Sequence, residues 1–193
     1  KKLGFSGFSE FKYFIKRELV EKEKDIEISA NILKDDIQNT LKLVSQTNLY
    51  PICKAIEKAN KIIVFGTDWG EKIAAEILVR SFLACNIYMH KVPSVTEMNW
   101  CLENLNSEDL VIIISFRGKS STVKNIIGQL KMYDIPFISI TPLSKSPLAS
   151  EANFNLYYKF TNLQVDENYD KEYNLYSSLL VLIEMLFSYY YDN

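Results

Sequence analysis

The 193-residue sequence contains few cysteines, prolines and glycines, and its longest apolar runs are only a handful of residues long. Runs such as Leu110–Ile114 are far too short to span a bilayer, so we expect no membrane association. Cys53, Cys85 and Cys101 are odd in number and widely spaced, which predicts reduced, buried thiols in a cytosolic protein. The composition, 48% hydrophobic and 24% charged, is that of a globular chain.

Motifs for metals and nucleotides are also missing from the sequence. No group of residues has the ligand spacing of a zinc site, and no GxxxxGKS or GxxxxGKT loop occurs. We therefore predict no cofactor. The single histidine, His90, lies at the end of a predicted strand, where an imidazole without an assigned partner is a weak candidate for a general base.

Charge is unevenly distributed along the chain. Residues 1–24 hold seven Lys or Arg and four Glu, a net charge of +3, whereas the remainder carries −5. A basic N-terminal segment suits a polyanionic partner. On charge alone, an ordinary solvated helix is the preferred interpretation.

The N-terminal region is predicted to be helical. The chain starts without Met, and "KKLG" has the pattern of a helix end whose C-cap is Gly4, so we expect a fragment cut inside a helix. Ser9 is a good N-cap for the helix that follows, and a second amphipathic helix fits residues 30–46. The apolar side of that second helix is predicted to consist of Ile32, Leu33, Ile37, Leu41 and Val44.

From Lys61 the pattern changes to short apolar strands that alternate with helices. The predicted strands are "KIIVFG", "NIYMHK", "DLVIIIS", "IPFISIT" and "FNLYYKF", and the last helix is "EYNLYSSLLVLIEMLFSYYY". This order predicts a doubly wound α/β fold with a mostly parallel five-stranded sheet, flanked by helices and preceded by N-terminal helices. Ligands of such sheets bind beyond the carboxyl ends of the strands, which selects the turns after Phe65, Ser115 and Ile140.

The turn "SFRGKSST" has the composition of an anion site. Gly118 can adopt the positive φ that lets backbone amides converge, and the helix that follows offers unpaired N–H groups. Arg117 could hold a phosphate through two parallel hydrogen bonds. The alternative is a capped strand-to-helix turn with exposed cations. The residues predicted to bind here are Ser115, Arg117, Gly118, Lys119, Ser120 and Ser121.

Two further groups are weaker candidates. In "GTDWGEK", Gly66 makes a tight turn and Thr67 could donate its hydroxyl, but Asp68 would repel a phosphate unless it were protonated or paired. Acidic residues gather before the last helix and could bind sugar hydroxyls or a metal, with Glu167 as the ligand-binding candidate among them, although an acidic loop that favours a helix N-terminus is the preferred interpretation. The acidic residues are Asp166, Glu167, Asp170 and Glu172.

From about residue 50 to the end, the sequence resembles the SIS (sugar isomerase) domain. The best matches are "DLVIIISFRGKSSTV" and the "ISIT…SPLA…A" run over residues 138–152. The N-terminal "KKLGFSGFSEFKYFIKREL" is similar to the close of the helix-turn-helix domain in RpiR-family transcriptional regulators. The resemblance implies a helix-turn-helix remnant at residues 1–25 with Lys1 and Lys2 on DNA, a linker helix at 26–48, and a SIS domain at 49–193.

The sequence departs from the phosphate-binding pattern that the family usually carries. The family's first turn reads GxGxS. In this chain Asp68 stands in place of the middle glycine, and Gly70 stands in place of the serine. The second turn, SxSGxT, keeps Ser115, Gly118 and a hydroxyl at Ser120, but Arg117 replaces its second serine. Arg117 either compensates for the lost hydroxyls or fills the pocket with its bulk.

Three functions remain open from the sequence. The leading hypothesis is the effector-sensing region of a regulator that is a homodimer or tetramer, binds DNA through its N-terminal domain, and binds a phosphosugar or similar anion across Thr67, Ser115 and Ser120. The second is a sugar-phosphate isomerase with His90 or Glu167 as the base. The third is a degenerate SIS domain that only dimerises.

Overall fold

The computed structural model describes residues 11–12, 30–166 and 171–193. Residues 11–12 are helical, but the rest of the predicted DNA-binding remnant, with Lys1, Lys2, Gly4 and Ser9, lies outside the described residues. The same holds for Glu167 and Asp170.

The described helices and strands alternate along the chain. The helices are α1 (30–45), α2 (Tyr50–Lys58), α3 (Trp69–Leu83), α4 (Val95–Leu102), α5 (Ser121–Met132), α6 (Pro147–Glu151) and α7 (Ser177–Asp192). The strands are β1 (Ile62–Gly66), β2 (Met89–Val92), β3 (Leu110–Ile114), β4 (Phe137–Pro142), β5 (Phe154–Tyr158), β6 (Asn162–Asp166) and β7 (Lys171–Asn174).

Five strands form one parallel sheet in the order β2-β1-β3-β4-β5, as the doubly wound prediction requires. The strands are short and buried on both faces, which explains their almost continuous apolar sequences. Val64, Ile112 and Ile138 pack on one face with α1, α2, α3 and α7. Their neighbours along the strands face the other way, towards α4, α5 and α6. The core is thus split into two layers by the sheet.

The sequence prediction for the last helix was wrong at its start. Residues from Glu172 to Asn174 belong to β7, which pairs with β6 as an antiparallel hairpin, and α7 begins only at Ser177. Asp166 and Glu172 therefore lie in strands and not in an acidic loop at a helix N-terminus. The hairpin was missed because its strands are only five and four residues long, too short for a clear alternation.

The buried side of α1 also differs from the predicted apolar side. Thr40 is buried and its Oγ1 accepts the Lys159 amide at 2.9 Å, and the buried Asp36 accepts the Thr161 hydroxyl at 3.0 Å. Leu41, by contrast, is 37% exposed. The helix turns polar residues inwards because the chain leaving β5 has a backbone amide, at Lys159, and a hydroxyl, at Thr161, that need partners.

The three cysteines are free thiols, and none of the described helices is long and apolar enough to cross a bilayer. Cys53 is buried as predicted, and burial raises its pKa to about 11. Cys85 and Cys101 are only half-buried. The prediction of buried thiols therefore holds fully for Cys53 alone.

Candidate functional site

The carboxyl ends of β1 and β3 form the floor of the candidate site. These strands are neighbours, and the chain winds to β2 on one side and to β4 on the other, so the strand order reverses between them. Ligands of doubly wound sheets bind at such a reversal. The Thr67 amide donates to the Ile114 carbonyl at 3.0 Å, and the Thr67 hydroxyl donates to Ser115 Oγ at 3.1 Å. The two predicted turns are thereby held side by side.

Ser115 is left with a hydroxyl hydrogen to offer. Its Oγ accepts from the Thr67 hydroxyl and also from the Gly118 amide, at 3.1 Å. Both lone pairs of a serine oxygen are then occupied, so its O–H group can only act as a donor. Because its oxygen is held in place by these two hydrogen bonds, the Ser115 hydroxyl is well placed to donate its hydrogen to an anionic ligand.

Gly118 shapes the turn after β3. Its φ is +58°, which confirms the predicted left-handed conformation. Its amide is used by Ser115, and its carbonyl accepts the Leu148 amide at 3.1 Å. A Cβ at this position would lie 2.7 Å from Ser146 Oγ. Gly118 therefore connects the turn to α6 and does not line the cavity described below.

Replacing Gly118 by alanine is expected to lower the free energy of unfolding by roughly 1–3 kcal/mol, because the residue needs positive φ and the methyl group meets Ser146. Urea unfolding of the purified chain measures the loss. Gly128→Ala is the matched control, since a Cβ there meets no atom within 4 Å. Within α5 that control should stabilise by about 0.5–1 kcal/mol. Equal effects of the two substitutions would contradict the prediction.

A cavity of about 400 Å³ opens between the turns after β1 and β3. It is lined by Thr67, Asp68, Glu71, Ser115, Phe116, Arg117, Ser120, Asn174 and Tyr176. Four of the predicted ligand residues, Thr67, Ser115, Arg117 and Ser120, thus come together. Gly66, Gly118, Lys119 and Ser121 do not line the cavity, and Glu167 lies outside the described residues.

Arg117 lies at the cavity without filling it. Its side chain is exposed, whereas Ser115 beneath it is buried. Ser120 is the N-cap of α5, and its Oγ accepts the Val123 amide at 3.2 Å, so its hydroxyl hydrogen also remains available. The cavity therefore offers two hydroxyl donors and a guanidinium near the N-terminus of a helix, a combination that favours an anion.

Five lining residues were not predicted as ligand contacts: Asp68, Glu71, Phe116, Asn174 and Tyr176. Asp68 is the N-cap of α3, and its carboxylate accepts the Trp69 amide at 2.8 Å. This cap is a sequence signal for the helix but not for the site. Asn174 and Tyr176 enter through the β6–β7 hairpin, which the sequence prediction missed.

Glu71 is the most unusual member of the site. Its side chain is only 1% exposed, and Oε1 accepts the Phe116 amide at 2.8 Å, while Oε2 has no hydrogen-bond partner in the described part of the chain. Burial raises the pKa of this carboxyl, and the nearby Asp68 adds to the increase, against hydrogen bonds from two backbone amides. The buried Tyr158 hydroxyl also lacks a partner among the described residues. Burial and the neighbouring Glu71 raise the pKa of Tyr158.

Two glycines set the shape of the first turn. A Cβ on Gly66 would lie 2.5 Å from the backbone of Glu71, so only glycine lets β1 pass this close to α3. A Cβ on Gly70 would lie 2.1 Å from the ring of Tyr176. The ring of Tyr176 thus occupies the space into which a side chain at position 70 would extend.

The single histidine is not part of this cavity. His90 is exposed on the edge strand β2 and does not line it. No three His, Cys, Asp or Glu residues gather into a metal site within the residues that the structure describes. A larger hollow of about 830 Å³ lies beside the loop after β4, around Leu143 and Tyr157. We place the site at the smaller cavity because the hydroxyl donors and the strand-order reversal coincide there.

Most of the chain matches known proteins. The SIS domain family matches residues 55–188. The HTH-type transcriptional regulator GlvR of Bacillus subtilis is 36% identical over 157 residues, which is 81% of this chain and 61% of that protein. Three further curated matches are also HTH-type transcriptional regulators. The chain spans about three fifths of the length of these relatives.

Solved structures share the fold at low sequence identity. The Vibrio vulnificus NanR protein complexed with ManNAc-6P has a TM-score of 0.72 and 19% identity, covering 98% of this chain and 70% of that one. The sugar isomerase domain of an RpiR transcription factor from Sphaerobacter thermophilus has a TM-score of 0.69 and 19% identity, covering 85% and 89%. A phosphoheptose isomerase from Francisella tularensis has a TM-score of 0.62 and 14% identity, covering 90% and 98%.

These matches confirm the predicted SIS domain and fold, with regulators and isomerases both among the relatives of the fold. The matched region contains β1, β3 and both turns of the cavity. The chain belongs to the SIS domain family.

Proposed function

We propose that the chain is the effector-sensing and dimerisation region of a DNA-binding transcriptional regulator of sugar metabolism, and that the β1–β3 cavity binds a phosphosugar or a similar anionic carbohydrate derivative. The observation that carries the proposal is the Ser115 hydroxyl, which has both lone pairs occupied and its hydrogen left to donate beside Arg117 and Ser120. A sugar phosphate offers the anion and hydroxyls that such a cavity can bind.

The relatives support a regulator in preference to an enzyme. GlvR is an HTH-type transcriptional regulator, and the NanR protein of similar fold was solved with ManNAc-6P. We extend this to the domain order predicted from the sequence: a helix-turn-helix remnant at residues 1–25 with Lys1 and Lys2 facing DNA, a linker at 26–48 and the SIS domain at 49–193. Such a regulator acts on DNA in the cytoplasm.

The proposed mechanism is allosteric. Binding of the anion across the turns after β1 and β3 would change the arrangement of two protomers, and thereby the spacing of their DNA-binding helices. The ligand must bind one arrangement more tightly than the other, because equal affinity for both would shift nothing. The N-terminal α1 and the C-terminal α7 both pack on the sheet face that holds α3. Since α3 begins at the cavity, we propose that these elements transmit ligand binding to the contacts between protomers.

The chemistry of the cavity disfavours an isomerase. Isomerisation needs a base free to move a proton beside a carbonyl. His90 lies away from the cavity, Asp68 caps α3, and one oxygen of Glu71 is bound to the Phe116 amide. Glu167 lies outside the described residues, so its role as a base is tested directly by substitution. Turnover of a hexose 6-phosphate that is lost in a Glu167→Gln or His90→Ala variant would overturn the regulator proposal in favour of an enzyme.

Calorimetric titration with a panel of hexose and aminosugar 6-phosphates tests the proposed function. We expect at least one phosphosugar to bind with a dissociation constant in the micromolar to millimolar range, about tenfold or more tighter than the same sugar without phosphate. Inorganic phosphate alone should bind more weakly than the ester, because it lacks the carbohydrate contacts. Equal binding of sugar and phosphosugar, or no heat with any member, would contradict the proposal.

A further inference from the structure

The turn that follows β3 already binds a carboxyl group of the protein's own. Glu71 reaches from the first turn of α3 across the cavity floor, and its Oε1 accepts the Phe116 amide at 2.8 Å. Phe116 directly follows Ser115, so this amide is the first donor of the proposed binding turn. A ligand oxygen cannot use it while the Glu71 carboxylate is bound there.

The charge of Glu71 is poorly neutralised by its surroundings. The titratable or charged groups that face it are Asp68 on its own helix, Arg117 on the β3–α5 turn, Tyr158 on β5 and Tyr176 before α7. Arg117 is the only cation among them and is exposed, whereas Glu71 is 1% exposed and forms none of the ion pairs found among the described residues. Its Oε2 is unpartnered there as well. A second negative charge beside it would be repelled with little screening.

We infer that Glu71 selects the charge of the ligand: by occupying the Phe116 amide with a carboxylate, it makes the cavity bind singly charged carbohydrate anions in preference to doubly charged phosphate monoesters. A sugar acid or a phosphodiester carries one negative charge at neutral pH, whereas a phosphate monoester carries close to two. The inference rests on the proposed function, since it concerns the ligand of the same cavity. It assigns the specificity to one buried side chain.

Glu71→Gln is the first test, because glutamine has the same shape and its oxygen can still accept the Phe116 amide. We expect the affinity for a hexose 6-phosphate at pH 7.5 to rise about tenfold in this variant, while the affinity for the corresponding hexuronate changes less than about threefold. Titration calorimetry with both ligands and the neutral hexose measures the difference. Equal changes for the two anions would overturn the inference.

Glu71→Met separates the charge from the amide. Methionine removes both the carboxylate and the acceptor of the Phe116 amide, so the phosphate ester should bind at least as tightly as in Glu71→Gln. Asp68→Asn is the matched control, because it removes an exposed carboxylate of the same cavity and asparagine is also a good N-cap. We expect a gain below about threefold there, since solvent screens that charge. An equal gain in Asp68→Asn and Glu71→Gln would overturn the inference in favour of net charge alone.

The pH dependence of unfolding is an independent measurement on the same variants. Since burial raises the pKa of Glu71 above its ordinary value of 4.5, the native state holds this proton more tightly than the unfolded state. The stability that this contributes is present below about pH 4.5 and is lost as the pH rises through the raised pKa. The melting temperature of Glu71→Gln minus that of the wild type should therefore increase from pH 4 to pH 8. A constant difference would show that no carboxylate is forced into the cavity, and would overturn the inference.

The outcomes distinguish this inference from the proposed function. If the wild type and Glu71→Gln both bind the hexose 6-phosphate with the same affinity, the cavity is a phosphosugar site and the role of Glu71 is refuted. If the wild type binds the hexose 6-phosphate more weakly than the hexuronate and the Glu71 variants bind the phosphosugar about tenfold more tightly, both proposals are supported. If no variant binds either anion, the proposed function fails and the inference fails with it.

Discussion

Replacing Arg117 by serine is expected to weaken binding of a hexose 6-phosphate about tenfold, although it restores the residue that SIS domains usually carry at this position. The guanidinium is exposed beside the cavity that Ser115 and Ser120 line, so it is placed to hold a phosphate and not to block it. A charge-assisted hydrogen bond is worth roughly 1.5–3 kcal/mol, and an arginine can form two with one phosphate. A serine hydroxyl would provide only part of this binding free energy.

Lys119→Ser provides the control for Arg117→Ser. Lys119 is the other exposed cation of the same turn, and it does not line the cavity. Both substitutions remove one positive charge, so a general loss of electrostatic attraction would affect them equally. We expect a loss below about threefold for Lys119→Ser. Affinities measured by calorimetry at two salt concentrations would distinguish a direct contact of Arg117 with the phosphate from general electrostatic attraction. Tighter binding by Arg117→Ser would show that the arginine fills a surviving pocket, the alternative that the sequence left open.

The sheet and its binding edge could be predicted from the sequence because their determinants are local. Runs such as Leu110–Ile114 are apolar throughout, as buried parallel strands require. The turns after β1 and β3 contain Gly66 and Gly118, which allow a close backbone approach and a positive φ, respectively. The positive φ of Gly118 follows from its place between a strand and a capped helix. Parallel strands align their carboxyl ends, so Thr67 and Ser115 were expected near each other before any contact was known.

The acidic and aromatic parts of the cavity could not be predicted because they depend on long-range packing. Glu71 has the pattern of an ordinary first-turn acidic residue of α3, a position that the helix dipole favours. Only the fold shows that it is buried and bound to Phe116, 45 residues further along the chain. Tyr176 is more than one hundred positions from Gly70, and it reaches the site through a hairpin too short to be recognised. From the sequence alone, the departures from the family pattern at Asp68, Gly70 and Arg117 are therefore interpreted as the loss of phosphate-binding groups.

In the structure, one of these departures is an exchange. Gly70 stands where the family usually has serine, and the ring of Tyr176 lies against it. A Cβ at position 70 would be 2.1 Å from the Cε1 and Cζ atoms of that ring, a distance that no two non-bonded carbons can keep. Serine at this position is incompatible with the tyrosine ring of position 176 in its present place, so the ring must move to admit it. The site has thus replaced a small hydroxyl donor by an aromatic wall with a phenol.

Gly70→Ser is therefore expected to destabilise the chain by about 1–3 kcal/mol, the usual cost of overpacking, even though it restores the family residue. In a Tyr176→Ala background the same substitution should cost less than about 1 kcal/mol, because the space has been opened. Urea unfolding of the wild type, the two single variants and the double variant gives the coupling energy, which we expect to be about 1–2 kcal/mol. Gly70→Ala serves as the control for Gly70→Ser, since the clash arises at Cβ and should be the same for both.

Ligand affinity then distinguishes the effect of the serine hydroxyl at position 70 from the effect of the space opened by Tyr176→Ala. Relative to Tyr176→Ala alone, adding Gly70→Ser should make the chain bind a hexose 6-phosphate about tenfold more tightly, whereas adding Gly70→Ala should not, because only serine supplies a hydroxyl for the anion. Additive stability effects would show that the ring of Tyr176 moves aside at no cost and that the two positions are independent. The expected gain with Gly70→Ser in the Tyr176→Ala background would mean that the ring of Tyr176 takes the place of the hydroxyl that the family usually has at position 70, and an equal affinity of the two backgrounds would contradict this.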